Sequence, residues 1–273
     1  MPWPIHRLTA KGAQILDGGV VIEEPLEIQV DGRTVAVLMR TPGMEKELAA
    51  GFCLGEGLVA GMADVALIRH CGRTVAEEEA ETDPLDVSRN RVEVRLMPDA
   101  APLQRPEAAP PIRSGCGRIG VEMFIENIRP VGEGVRIGQK TLARLPAQVA
   151  RRQVAYRAAG GIHAAALFDR TGQVIAVCED VGRHNAVDKA LGFCLLRGIP
   201  LDDKILLSTG RASYDMVIKG ARLGVPLIAS ISSPTSRAVE LAQALNCTLL
   251  GYLRGKTVNI YTHPWRITPD HSP

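Results

Sequence analysis

Aromatic side chains are scarce in this 273-residue chain: four Phe, four Tyr and two Trp, 4% of the whole. That scarcity argues against a stacking platform for single-stranded nucleic acid. A dominant charge is also lacking. Thirty-two Lys and Arg against 30 Asp and Glu leave a net charge of +2. Nucleic-acid binding driven by overall charge is thereby disfavoured, while a local basic pocket stays open. No apolar run approaches membrane-spanning length, and the start, "MPWPIHRLTAKGAQ", lacks a charged segment followed by an apolar one. The expectation is a soluble cytoplasmic protein with neither membrane nor nucleic acid as a partner. The six cysteines (53, 71, 116, 178, 194 and 247) make no C-x-x-C pair. Zinc-like spacing is therefore absent, and in a reducing compartment buried thiols are expected in place of disulfides.

What is present divides the chain in two. Over residues 20–40, "EPLEIQV" and "RTVAVLM" alternate around Asp31-Gly32, a type I′ hairpin signal. "TPGMEKELAAGFCLGEGL" follows and reads as a helix, with Thr41 as cap, Pro42 at the first position, and Leu48, Phe52 and Gly55 on one face. "NRVEVRLM" (90–97) is a strand with Val92, Val94 and Leu96 on one side. Residues 98–111, "PDAAPLQRPEAAPP", are too rich in proline for a central element and read as an extended connection. The later half alternates strands with helices. "TLARLPAQVARR" is a helix with a kink expected at Pro146, and "IHAAALFD" pairs with "QVIAVCED" across Arg170-Thr171-Gly172. "HNAVDKALGFCLLRG", "DMVIKGARLG" and "SRAVELAQAL" are helices. "KILLST", "VPLIASIS", "CTLLGYL" and "TVNIYT" are strands. Such alternation means an α/β layer with parallel pairs.

In such sheets ligands bind outside the carboxyl ends of the strands. The loops expected there are polar: "CEDVGRHN" (178–185), "STGRASYD" (208–215), "SISSPTSR" (230–237) and "YLRGKT" (252–257). Each alone reads as an ordinary helix cap or turn. Together on one edge, with Arg183, Arg211 and Arg254, they suit a ligand with several phosphates.

"RSGCGRIG" (113–120) contains G-x-G-x-x-G, yet that fingerprint requires a preceding strand, and "AAPPIRS" is none. The alternative is a glycine loop presenting Cys116 between Arg113 and Arg118, whose charge favours the thiolate. An incidental exposed cysteine fits the spacing equally well. Cys53, Cys194 and Cys247 lie in apolar runs and read as structural. Acidic Glu179 and Asp180 beside Cys178 disfavour a thiolate there, and Cys71 is undecided. His163 reads as a buried strand histidine. His184 opens a helix, where a ring nitrogen meets a ligand and the helix end favours the neutral form. Glu179 and Asp180 bind a guanine edge or an arginine in one reading. In the other they pair with Arg183 or cap the following helix.

The segments "AGGIHAAALFD", "EDVGRHNAVDK", "STGRASYDMVIK", "SISSPTSRAVELA" and "GYLRGKTVNIYT" resemble the formate dehydrogenase accessory sulfurtransferase family, FdhD. "EPLEIQVDGRTVAVLMRTPG" and "ELAAGFCLGEGL" resemble its N-terminal half. The resemblance runs from about residue 20 to 267 and is weakest over 74–112. It implies an α/β (α+β overall) protein. A smaller N-terminal α+β domain (15–130) would carry the proline-rich segment and the Cys116 loop. A three-layer C-terminal domain (131–268), similar to cytidine deaminases, would bind cofactor. It implies sulfur taken as a persulfide from a cysteine desulfurase and passed to the bis(molybdopterin guanine dinucleotide) cofactor of a molybdenum- or tungsten-dependent formate dehydrogenase. GDP-like nucleotides would occupy the same site, and the protein would pair as a homodimer.

Carried over by residue, Cys116 is the persulfide candidate. Tyr252, Leu253, Arg254, Gly255, Lys256 and Thr257 match the cofactor-binding stretch. By position and chemistry, Arg183, His184, Asn185, Ser208, Gly210, Arg211 and Ser213 line the same edge. The family pattern C-G-x-C-G is "CGRIG" here, with Ile119 in the second cysteine's place. One thiolate suffices to carry a persulfide, and a second would help resolve it. A cofactor-binding chaperone without covalent chemistry is therefore the other reading. Deamination is excluded, because "HNA" (184–186) and "TGRASYD" (209–215) lack the glutamate and the cysteines that a zinc deaminase needs. No metal or zinc site is expected. The prolines before Cys116 suggest a lid over 98–120.

Overall fold

The computed structural model describes residues 1–71, 90–100, 128–133, 135–255 and 257–269. The loop that carries Cys116, most of the proline-rich segment with the suggested lid, and Lys256 lie outside the described residues.

The chain opens with an antiparallel hairpin of β1 (Pro2–Thr9) and β2 (Gly12–Gly19). A second hairpin follows, β3 (Glu24–Val30) and β4 (Arg33–Arg40). Its turn has Asp31 at φ 47° and Gly32 at φ 75°. Two consecutive positive φ values are what a type I′ turn needs. With β5 (Val65–Cys71) and β6 (Arg91–Leu96) it forms a four-stranded sheet of order β4-β3-β6-β5, in which β3 and β6 run parallel. Leu26, Ile28, Val30, Val92 and Val94 point into one core with Leu48 and Phe52 of α1 (Glu45–Gly55).

After the two-residue strand β7 (Ile137–Gly138), which pairs in parallel with Ile267–Thr268, the second half is built on a six-stranded sheet, with strands β8 (His163–Phe168), β9 (Val174–Asp180), β10 (Ile205–Ser208), β11 (Leu227–Ser230), β12 (Thr248–Arg254) and β13 (Thr257–Ile260). Its order is β13-β12-β11-β10-β8-β9. The central β10, β11 and β12 are parallel, and β8 is antiparallel to both β9 and β10. Alternation along each strand divides the side chains between two cores. Ala164, Ala166, Phe168, Ile205, Leu207, Leu227, Ala229 and Leu250 meet α2 (Gln139–Arg152) through Leu142, Leu145 and Val149. Ala165, Leu167, Leu206, Ile228 and Leu249 meet α4 (Arg183–Leu195), α5 (Tyr214–Arg222) and α6 (Ser236–Ala244). Helix, sheet and helices make three layers, in line with the α/β expectation. Helix α2 continues past Pro146 to Arg152. A short helix, α3 (Val154–Ala159), follows it before β8.

The halves meet where α1 crosses α4 at backbone distance. A Cβ on Gly51 would stand 1.9 Å from the Asp188 carbonyl oxygen, and one on Gly192 would stand 1.8 Å from that of Glu47. Only glycine permits this approach. Thr41 makes the second joint. The sequence suggests it as the cap of α1, but the helix starts later, after Met44 in the left-handed region, with no side-chain cap. Thr41 is committed elsewhere: its N–H donates to Asp180 (3.2 Å), and its hydroxyl accepts from the Val181 N–H (3.2 Å).

Candidate functional site

Because β8 runs against both β9 and β10, the carboxyl ends of β9, β10, β11 and β12 all open on one edge of the sheet. From β12 to β9 is four strand spacings, about 19 Å. Helices α4, α5 and α6 each follow directly from one of these ends, so three helix N-termini converge on it. Their dipoles and first-turn N–H groups favour an anion. Ser213 caps α5 by accepting from the Met216 N–H, and Thr235 caps α6 by accepting from the Ala238 N–H. Helix α4 begins after Gly182 without a side-chain cap.

The candidates after β9 and β10 come together. Ser208 is buried at the end of β10, where its hydroxyl accepts from the Gly210 N–H (3.1 Å). A Cβ on Gly210 would stand 2.9 Å from the Arg183 side chain, so the arginine's stem packs where glycine leaves room. Arg183 Nε is buried without a partner among the described residues. The neighbouring His184 Nε2 is hydrogen-bonded to Ser213 Oγ at 2.9 Å and lies 3.7 Å from an Asp215 carboxylate oxygen. Burial, with help from the Arg183 and Lys219 cations, pushes His184 down to about 4. The imidazole is thus neutral at physiological pH, with a nitrogen able to accept. Arg211 is exposed at the rim.

Behind His184 lies a charged cluster that the sequence reading missed. Lys219 Nζ meets Asp188 at 2.6 Å and Glu56 at 2.9 Å; Lys219 and Asp188 are buried, and Glu56 is partly exposed. Burial opposes the charge, but Asp188 and Glu56 outweigh it and push the lysine pKa up. The available signal was Lys219 itself, a cation within the apolar run "MVIKGA" on the buried face of α5.

Other members of the edge are committed to the scaffold. Asn185 Nδ2 donates to the Met39 carbonyl (2.8 Å) and to Asp180 (3.0 Å). Asp180 also pairs with buried Lys189 at 2.7 Å and accepts from the Gly182 N–H. Glu179 accepts from the Ala155 and Tyr156 N–H groups, 2.9 Å each, and so caps α3. Neither carboxylate pairs with Arg183. Glu179 is held by residues 155–156, and Asp180 by Thr41, Lys189 and, in the turn that follows it, Gly182 and Asn185.

At the far end Tyr252 takes φ 52°, and the β12–β13 register shifts between Gly251 and Arg254. That bulge exposes Tyr252 while Leu253 is fully buried in the α2-side core. Any ligand contact by Leu253 is therefore through its backbone. Arg254 Nε donates to the Ile231 carbonyl at 3.1 Å, its guanidinium lying near the Tyr252 ring. Gly255, at φ 60°, turns the chain towards Thr257. Ser230 belongs with this edge too: its buried hydroxyl donates to the Gly210 carbonyl at 2.6 Å.

Three of the described cysteines are poor carriers of reactive sulfur. Burial pushes Cys178 up to about 12, Cys194 to about 11 and Cys247 to about 12. For Cys178 the leading cause is burial, not Glu179 and Asp180 as the sequence suggests. Cys53 is buried in the N-terminal core, and Cys71 is half-buried at the end of β5. Among the described residues no three His, Cys, Asp or Glu side chains are grouped to hold a metal ion, and no helix is long and apolar enough to cross a membrane.

Residues 21–268 match the FdhD/NarQ family. Curated relatives include the "Sulfur carrier protein FdhD" of Mycobacterium tuberculosis, 40% identical over 91% of each chain. The protein of the same name in Thermoplasma acidophilum is 37% identical over 92% of this chain and 87% of its own. A solved structure from Desulfotalea psychrophila, described as a formate dehydrogenase accessory protein, superposes with a TM-score of 0.78 at 26% identity. The match covers 98% of this chain and 99% of that one.

Proposed function

The chain belongs to the FdhD/NarQ family, and from that premise we propose that it is a sulfur carrier serving a formate dehydrogenase. Cys116 takes sulfur from a cysteine desulfurase and passes it to the bis(molybdopterin guanine dinucleotide) cofactor, held at the edge between β12 and β9. The observation that carries the reading is the meeting of four strand ends and three helix N-termini on one edge about 19 Å long. An elongated ligand with phosphates at intervals matches that length and polarity. Arg183, with its unpartnered Nε, would face a phosphate, and neutral His184 would accept a hydrogen bond from the ligand. Tyr252, Arg254, Gly255, Lys256 and Thr257 would hold the other end. The similarity of the C-terminal half to cytidine deaminases belongs to this proposal, as do the division into domains 15–130 and 131–268, the homodimer and a cytoplasmic location.

Sulfur capture is an exchange. The Cys116 thiolate attacks the outer sulfur of the desulfurase persulfide, the new S–S bond forms, and the desulfurase cysteine leaves as thiolate. The chemistry of the other cysteines supports the choice of Cys116, because burial keeps Cys178, Cys194 and Cys247 protonated. Incubation with cysteine and a desulfurase should add one sulfur to Cys116, read by intact mass. Cys116→Ala should abolish rescue of formate dehydrogenase activity in a strain lacking the native carrier. Full rescue by that variant would refute the persulfide role and leave the second reading, a cofactor chaperone, which Ile119 in place of a second cysteine favours. Failure of GDP to bind in calorimetry would count against the cofactor site in both.

A further inference from the structure

Residues 134–168 contain no Asp or Glu, yet carry Arg136, Lys140, Arg144, Arg151, Arg152 and Arg157. In the fold Arg136 precedes the strand Ile137–Gly138, the other five cations lie on α2 and α3, and the stretch ends with β8. All five arginines are exposed. Among the described residues none of the five lies within salt-bridge distance of a carboxylate. In a chain of net charge +2 this is a strong local excess of positive charge.

The position of this surface is as telling as its charge. Glu179, at the carboxyl end of β9, holds α3 by the N–H groups of Ala155 and Tyr156. Helix α3 therefore lies along the rim of the candidate site and leads through Gly160-Gly161 into β8 at the same edge. Val154 and Tyr156 of α3 are 66% and 53% exposed. Strand β2 reaches α3 at Gly19, where a Cβ would stand 3.0 Å from the Ala158 carbonyl oxygen, and the first hairpin exposes Trp3 and Ile5 as well. Apolar and aromatic side chains bordered by arginines make the composition of a protein-binding surface.

We propose that the α2–α3 surface docks an acidic protein surface, and that this partner is the one that receives the cofactor from the adjoining edge. The inference rests on the function proposed above for that edge. Charge selects the occupant. A second copy meeting this patch through a two-fold axis would set arginines against arginines, which is repulsive. Exposed Val154, Tyr156, Trp3 and Ile5 suit a protein better than a nucleic-acid backbone, which rewards cations alone.

The test is binding of the full-length protein to the purified catalytic subunit of its formate dehydrogenase, prepared without cofactor. Affinity should fall about tenfold or more between 50 and 200 mM NaCl, as for steering by opposite charge. The double variant Arg144→Glu, Arg151→Glu changes two exposed arginines and should bind the subunit at least tenfold more weakly while binding GDP as before. Tyr156→Ala should weaken docking with less effect on its salt dependence. Unchanged docking by the charge-reversed protein overturns the inference, as does tighter binding of an RNA oligomer than of the dehydrogenase subunit. A shift of the charge-reversed protein in oligomeric state alone, seen by light scattering, also overturns it. Loss of GDP binding with docking intact would instead refute the cofactor edge and leave the docking surface standing.

Discussion

Gly192→Ala would normally favour a helix by about 1 kcal/mol. In α4 the new Cβ would lie 1.8 Å from the Glu47 carbonyl oxygen, 2.7 Å from its carbon and 2.9 Å from the Gly51 nitrogen. All three are backbone atoms of α1, so no side chain can swing aside. Ordinary contact begins near 3.4 Å, and α1 and α4 must part by about 1.6 Å to reach it. Forcing a methyl group into a packed interface costs about 1–3 kcal/mol, and backbone against backbone belongs at the upper end. The clash outweighs the propensity, for a net loss of about 2 kcal/mol and a midpoint lowered by about 4–8 °C. Gly55→Ala is the matched control, because the atoms nearest its Cβ all belong to the Lys219 side chain, the first at 3.1 Å. Urea and thermal unfolding followed by circular dichroism would measure both. A Gly192→Ala protein as stable as the parent, or a Gly55→Ala protein equally damaged, would refute the close-crossing argument.

Lys189→Met should cost about 3–5 kcal/mol, because it leaves the Asp180 carboxylate buried without its cation; adding Asp180→Asn should recover part of the loss, and a single-variant cost below about 1 kcal/mol would contradict the pairing. The His184 pKa is depressed in the fold, so the unfolded chain binds a proton that the native protein does not between pH 6.5 and about 4. Stability should therefore fall with pH through that window, by up to about 3 kcal/mol from this group. His184→Gln should flatten the pH dependence of urea midpoints there. An unaltered curve would mean that His184 does not titrate as its surroundings require.

The sequence makes the sheets readable where one physical signal dominates. Asp31-Gly32 tolerates the two positive φ values that a type I′ turn demands and most residue pairs resist. The period-2 split of Ala164–Phe168 follows from a strand with a helix layer on each side. The edge of polar loops was legible because helices follow the strand ends, and any α/β layer gathers those ends. Long-range partners were not legible. Thr41 looks like a helix cap, and its true partners are 139 and 140 residues away. The same holds for Glu179, whose preference for the α3 amides depends on the fold bringing them there. The first hairpin escaped notice because Pro2 and Pro4 weaken the strand signal of β1 and most of its side chains are exposed. Tyr252 in the left-handed region gives no warning in composition, since bulges are set by pairing across the sheet.

The crossing of α1 over α4 bears on how the protein can be divided. Helix α4 opens at the edge with Arg183 and His184, and by Asp188 and Gly192, about one and a half to two and a half turns on, it is pressed against the backbone of the other half. Truncation to residues 131–268 would keep every strand of the six-stranded sheet but strip one wall from α4. It would also leave Lys189 without the Thr41 carbonyl to which it donates at 2.7 Å, and Asn185 without that of Met39. The N-terminal half thus works as a brace for the helix that begins at the candidate site, and a ligand there would bind to a surface whose shape depends on residues far outside it.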